Sequence, residues 1–169
     1  IPDAFFRAVV DFQLPPAGQY GVGHVFLPQN AGDRAEMEAI VNRHLEEGGQ
    51  TLLGWRDVPV DNSDLGESVL PSEPVIRQVF VGCGENCPNQ DAFERRLFAI
   101  RKHMDNAIRE AGFLKTSYYV TSMSSRTITY KGMLLAGQVG SYYQDLKDTR
   151  FDSALALVHQ RFSTNTFPT

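Results

Sequence analysis

Residues 160–166, QRFSTNT, concentrate side chains able to grip a small molecule. They follow residues 154–158, ALALV, the longest apolar run in the chain. Alternation with a period of two puts Leu155, Leu157, His159, Arg161 and Ser163 on one face of an extended segment. A guanidinium emerging from an apolar strand among hydroxyls and an amide is suited to a carboxylate, whose two oxygens match its planar fork. A strand end that simply rejoins solvent would carry the same residues. The stretch alone leaves both readings open.

Other residues offer less. Cys83 and Cys87 stand four apart in GCGENCP, and no second pair of ligands completes a zinc site. They read as two surface thiols on a loop, with a thiol-based metal or redox site as the alternative. Histidines 24, 44, 103 and 159 show no metal-ligand spacing and read as structural. Gly21 and Gly23 in YGVGHV fall inside a strand pattern without a following helix start, which argues against a phosphate loop. Trp55 beside Arg56 and Asp57 reads as a core anchor next to a surface ion pair.

These residues need a scaffold, and 169 residues suffice for one domain with a real core. A net charge of −4, with 16 basic and 20 acidic residues dispersed along the chain, gives no footprint for nucleic acid. The longest apolar run is far below the roughly 18 residues of a membrane span, so no membrane partner is expected. Two cysteines and no secretory pattern suggest a reducing, cytoplasmic setting. The spacing predicts a short helix after Pro2 and strands over 20–28, 51–60 and 75–82. A helix is expected over 32–47, stopped by Gly48 and Gly49, and a clearer one from Asp91, capped by Asp91 with Glu94. Its apolar face is Phe93, Leu97, Ile100, Met104 and Ile108, and Gly112 ends it. Residues 117–132 suggest two short strands around a Ser-rich turn, 140–148 a short helix, and 153–164 a last strand. Strands separated by two long helices indicate a mixed domain.

The sequence HQRFSTNTFP resembles the signature of the class II glutamine amidotransferase domain at the front of the glutamate synthase large subunit. PDAFFR, GWRDVPVDNSDLG, RQVFVG, FERRLFAIRK and YKGML are similar to the same domain and occur in the same order. The resemblance implies an α+β fold, the α-β-β-α four-layer sandwich of N-terminal nucleophile hydrolases, here incomplete. It also implies hydrolysis of L-glutamine to glutamate and ammonia, which aminates 2-oxoglutarate at a second site. By motif match, Arg161 holds the substrate α-carboxylate, with Thr164 and Asn165 in the substrate wall. The other domains of the large subunit, a small flavoprotein subunit and further copies of the chain are implied as partners. FMN and an iron–sulfur cluster are implied for the parent enzyme, with no cofactor or metal in this part.

The family's nucleophile is an N-terminal cysteine whose own α-amino group moves the proton. Residue 1 is Ile, and neither Cys83 nor Cys87 lies in a comparable context. The expectation is therefore a central part of one domain, residues 1–169, without its nucleophile strand or its C-terminal continuation, and inactive alone as a glutaminase. A sandwich so divided should expose a strand edge and an apolar face. A non-catalytic scaffold module on the same fold is the alternative reading.

Overall fold

Four antiparallel strands form one sheet in the order β2-β3-β1-β4 in a computed structural model that describes residues 1–113 and 118–159. The strands are β1 (Tyr20–Leu27), β2 (Thr51–Asp57), β3 (Val75–Gly82) and β4 (Tyr119–Ser124). The helices are α1 (Asp3–Val9), α2 (Ala31–Glu47), α3 (Gln90–Glu110) and α4 (Gln138–Tyr142). The architecture is α+β, as the resemblance implies, and one sheet is present among the described residues. β1 pairs with β3 along its whole length, from Tyr20 opposite Gly82 to Leu27 opposite Val75.

Alternation along β1 decides what lies on each face. Val25 and Leu27 join Val79 and Val81 of β3 against Met37, Ile40, Val41 and Leu45 of α2 and the predicted five-residue stripe of α3. Gly21 and Gly23 lie on this helix-covered face. A Cβ on Gly21 would stand 2.7 Å from Leu97 Cδ1, and one on Gly23 would stand 2.6 Å from Val79 Cγ1. Close packing, not phosphate, accounts for them. On the opposite face Tyr20, Val22 and Phe80 meet Phe5 and Phe6 of α1, with Phe12 and Phe151 alongside. Val58, Ile76, Tyr142 and Tyr143 form a third cluster beside them.

The cap of α3 differs from expectation. Asn89 caps the helix by accepting from Ala92 N at 2.9 Å. Glu94 turns away and accepts from Ser124 Oγ (2.8 Å), Ser125 N (2.5 Å) and Ser125 Oγ (2.6 Å). A charged acceptor with three donors is worth more at the end of β4 than in a reciprocal cap.

Two expected strands are also corrected. The Ser-rich turn is present, but residues 127–132 form no strand. Side-chain hydroxyls replace the ladder: Ser122 Oγ accepts from Thr129 N at 3.0 Å, and Thr121 Oγ1 donates to Thr129 O at 2.8 Å. Residues 153–159 are irregular rather than the start of a last strand, with Leu155, Leu157 and Val158 exposed. They find no neighbouring strand among the described residues, and period-two alternation cannot supply one. β2 stops at Asp57, short of Val60, because Pro59 cannot donate to a ladder.

Candidate functional site

On the sheet face away from α2 and α3, four elements deliver polar side chains to one buried point. β2 brings Arg56, β3 brings Gln78, β1 brings His24, and the turn after α4 brings Asp145. Arg56 makes a two-pronged bond to Asp145, Nη1 to Oδ2 at 2.8 Å and Nη2 to Oδ1 at 2.6 Å. The Asp145 side chain is 1% exposed and that of Arg56 11%. This corrects the surface pair expected between Arg56 and Asp57. Adjacent residues of a strand point to opposite faces, and Asp57 instead pairs with Arg77 at 2.7 Å.

Donor and acceptor roles then propagate without choice. Arg56 can only donate, so its bond to Gln78 at 2.8 Å fixes the amide oxygen there. The amide nitrogen of Gln78 must face Tyr130 OH (3.0 Å) and His24 Nδ1 (3.4 Å). Tyr130 OH in turn donates to Asp145 Oδ2 at 2.7 Å. Burial, then the Asp145 charge, pushes the Tyr130 hydroxyl well above the usual phenol range and keeps it a donor. His24 is fully buried among Phe26, Tyr130 and Tyr143, and its Nε2 has no hydrogen-bond partner among the described residues. Phe5 lies under the Arg56 guanidinium at 5.3 Å. The network is largely buried, and its chemistry is structural: it fastens the 130–145 segment to the sheet.

His24 makes this acid-sensitive. Burial lowers its pKa from 6.5 to about 3, outweighing the opposing influence of Asp145. The unfolded chain therefore takes up this proton first, and the stability due to neutral His24 is complete above pH 6.5 and lost as pH falls toward 3. Between about pH 6.5 and 4.5 unfolding free energy should drop with a slope approaching 1.4 kcal/mol per pH unit. Asp3 and Asp148, whose carboxyls are held low by Arg7 and Arg150, lose their contribution only at lower pH. Urea titrations of wild type and His24→Gln over that range check this, and an undiminished slope in the variant would exclude His24 as its source.

Arg161, Thr164 and Asn165, the residues predicted to bind substrate, lie outside the described residues. Cys83 and Cys87 are half-buried against the helix-covered core rather than on a bare surface loop. His24 is structural, as expected. Among the described residues no group of three or more His, Cys, Asp or Glu is placed to hold a metal ion. No helix among them is long and apolar enough to cross a membrane.

The family profile of the class II glutamine amidotransferases matches residues 1–169. The chain belongs to this family. It is 46% identical over 170 aligned residues to the glutamate synthase (NADPH) large chain of Bacillus subtilis, covering 100% of this chain and 11% of that protein. The corresponding large chain of Azospirillum brasilense is 38% identical, again over 100% of this chain and 11% of the relative. Ferredoxin-dependent glutamate synthase 2 of Synechocystis is 39% identical over 92% of this chain and 10% of its own length. The chain thus spans about a tenth of the length of these relatives.

Two of the motifs that carry the family likeness have structural tasks in this chain. GWRDVP supplies Arg56 and YKGML supplies Tyr130, both to the buried network. Asp145 and Gln78 were missed by sequence reasoning, and nothing in QDLKD or RQVFVG distinguishes them from solvated polar residues. An iron–sulfur cluster does not fit this chain, which has two cysteines where such clusters are held by four. The space over Gly21 and Gly23 is occupied by Leu97 and Val79, in keeping with the reading against a phosphate loop.

Proposed function

We propose that the chain is part of the glutamine-hydrolysing domain of a glutamate synthase large subunit in the cytoplasm. The observation that carries this reading is the likeness to a glutamate synthase large chain at 46% identity over 100% of the chain. Glutamine is hydrolysed to glutamate and ammonia, and the ammonia aminates 2-oxoglutarate in another domain of the same protein. Arg161 holds the glutamine α-carboxylate, and Thr164 and Asn165 form the adjoining wall.

The nucleophilic thiol comes from outside residues 1–169. Both cysteines here are surrounded by amides and carbonyls rather than by a base: Cys87 Sγ by Asn86 Oδ1 at 3.3 Å, Cys83 Sγ by Gly84 O at 3.7 Å. On this reading residues 1–169 alone are inactive. FMN, the iron–sulfur cluster and contacts to a small flavoprotein subunit belong to other parts of the parent enzyme. Relatives named for NADPH, ferredoxin and NADH all share this segment. The electron donor is therefore selected elsewhere.

The whole protein should form glutamate from glutamine and 2-oxoglutarate. Alkylation by an electrophilic glutamine analogue should abolish that reaction while sparing the reaction driven by free ammonia. A whole protein that neither hydrolyses glutamine nor reacts with the analogue would favour a scaffold role on the same fold.

A further inference from the structure

Cys83 and Cys87 flank a turn that the fold holds rigidly. Cys87 N donates to Gly84 O at 3.0 Å to close the turn, and Cys83 N donates to Gln19 O at 2.8 Å to anchor its start. The turn sits directly on the end of α2: a Cβ on Gly84 would stand 1.8 Å from Gly49 O, so only glycine fits there. Gln50, 4% exposed, fastens it from beneath. Its Oε1 accepts from Gly84 N at 2.9 Å, and its Nε2 donates to Asn86 Oδ1 at 2.8 Å.

The thiols are consequently held together and are not equivalent. Cys83 Sγ lies 3.8 Å from Cys87 O, which brings the two residues together across the turn. Cys87 lines a surface hollow of about 230 Å³ with Asn86, Ala92, Arg95 and Arg96. An adjoining hollow of about 120 Å³ shares Arg96 and adds His44 and His103. Neither Arg95 nor Arg96 enters an ion pair among the described residues. Two unpaired guanidiniums beside a thiol favour an anionic reagent and raise its local concentration.

We infer that Cys87 and Cys83 form a thiol–disulfide exchange site for anionic low-molecular-weight disulfides, with Cys87 attacking and Cys83 resolving. The Cys87 thiolate attacks one sulfur of the reagent, whose S–S bond breaks; a mixed disulfide forms on Cys87 and one thiolate leaves. Cys83 loses its proton to solvent and displaces the second thiolate from Cys87. The products are a Cys83–Cys87 disulfide and two reduced reagent thiols, two electrons having passed from the cysteine pair to the reagent. Placement sets the order, since Cys87 lines the hollow and Cys83 does not. Burial, with Cys87 beside it, also holds the Cys83 thiol above its usual value, as suits the second thiol to react.

The test uses the full-length protein and oxidised glutathione, with the state of the peptide bearing both cysteines read by alkylation and mass spectrometry. Wild type should give a peptide about 2 Da lighter, blocked to alkylation and restored by dithiothreitol. Cys83→Ser should accumulate glutathione on Cys87, whereas Cys87→Ser should leave Cys83 unmodified over the same time. The double variant Arg95→Gln/Arg96→Gln should react with oxidised glutathione roughly tenfold more slowly and with uncharged hydroxyethyl disulfide at the wild-type rate. Both thiols remaining alkylatable in wild type, or Cys83 reacting as fast without Cys87, would overturn the assignment. Equal slowing with both reagents would overturn the selection for anions. None of these readouts depends on glutamine hydrolysis.

Discussion

Asp145→Ala should destabilise the domain by about 3–5 kcal/mol, because it strands a buried cation. Asp145 accepts three of the shortest bonds in the network, two from Arg56 and one from Tyr130. Without it the guanidinium keeps Gln78 Oε1 and the Phe5 ring but no counter-charge, and the Tyr130 hydroxyl loses its acceptor. The penalty arises from what remains, not from the net worth of the pair. Replacing both partners, Arg56→Met with Asp145→Leu, should therefore recover most of the loss. Denaturant unfolding of a polypeptide spanning the whole amidotransferase domain measures both. A loss below about 1 kcal/mol in the single variant would mean that water reaches Arg56 and that the network is not sealed.

How much of this was legible depended on how local the determinant is. The apolar stripe of α3 repeats every three or four residues, so the helix and its buried face follow from spacing alone. β3 was placed to the residue because apolar side chains occupy both faces of it. The partner of Arg56 could not be read, since it lies 89 residues away and a neighbouring Asp57 offered a simpler pairing. The failed strand at 127–132 has the same origin: a strand requires a partner, and Ser122 and Thr121 satisfied that backbone with side chains instead. Of the site itself, the Cys83/Cys87 spacing was visible, but its burial depended on Gln50 and Gly84 meeting the end of α2.

The structure also separates two things that a motif match combines. Arg56 and Tyr130 lie within the family-like segments, yet both point into a largely buried network rather than a hollow. Residues of this kind mark the fold, because a buried bidentate pair tolerates few substitutions. Chemistry must then be sought where a cation is not already neutralised from within. Arg56 is neutralised by Asp145 and has no free charge to offer a substrate, whereas the grip proposed for the arginine of RFSTNT rests on its motif match.

Arg161→Ala in the full-length enzyme should raise the glutamine KM by about ten- to a hundredfold, the equivalent of a charge-assisted hydrogen bond worth roughly 1.5–3 kcal/mol. The α-carboxylate of glutamine is remote from the amide that reacts, and its charge does not change during hydrolysis. The proposed contact with Arg161 would therefore be made equally in ground and transition states, so kcat at saturating glutamine should change far less than KM. Arg161→Lys should restore only part of the affinity, because an ammonium offers a point charge where the guanidinium offers a fork. Ammonia-driven amination of 2-oxoglutarate, which bypasses the glutamine pocket, should proceed at the wild-type rate and serve as the control for folding. An unchanged glutamine KM beside intact ammonia-driven activity would remove Arg161 from the substrate site, and a fall in both activities would make its role one of folding.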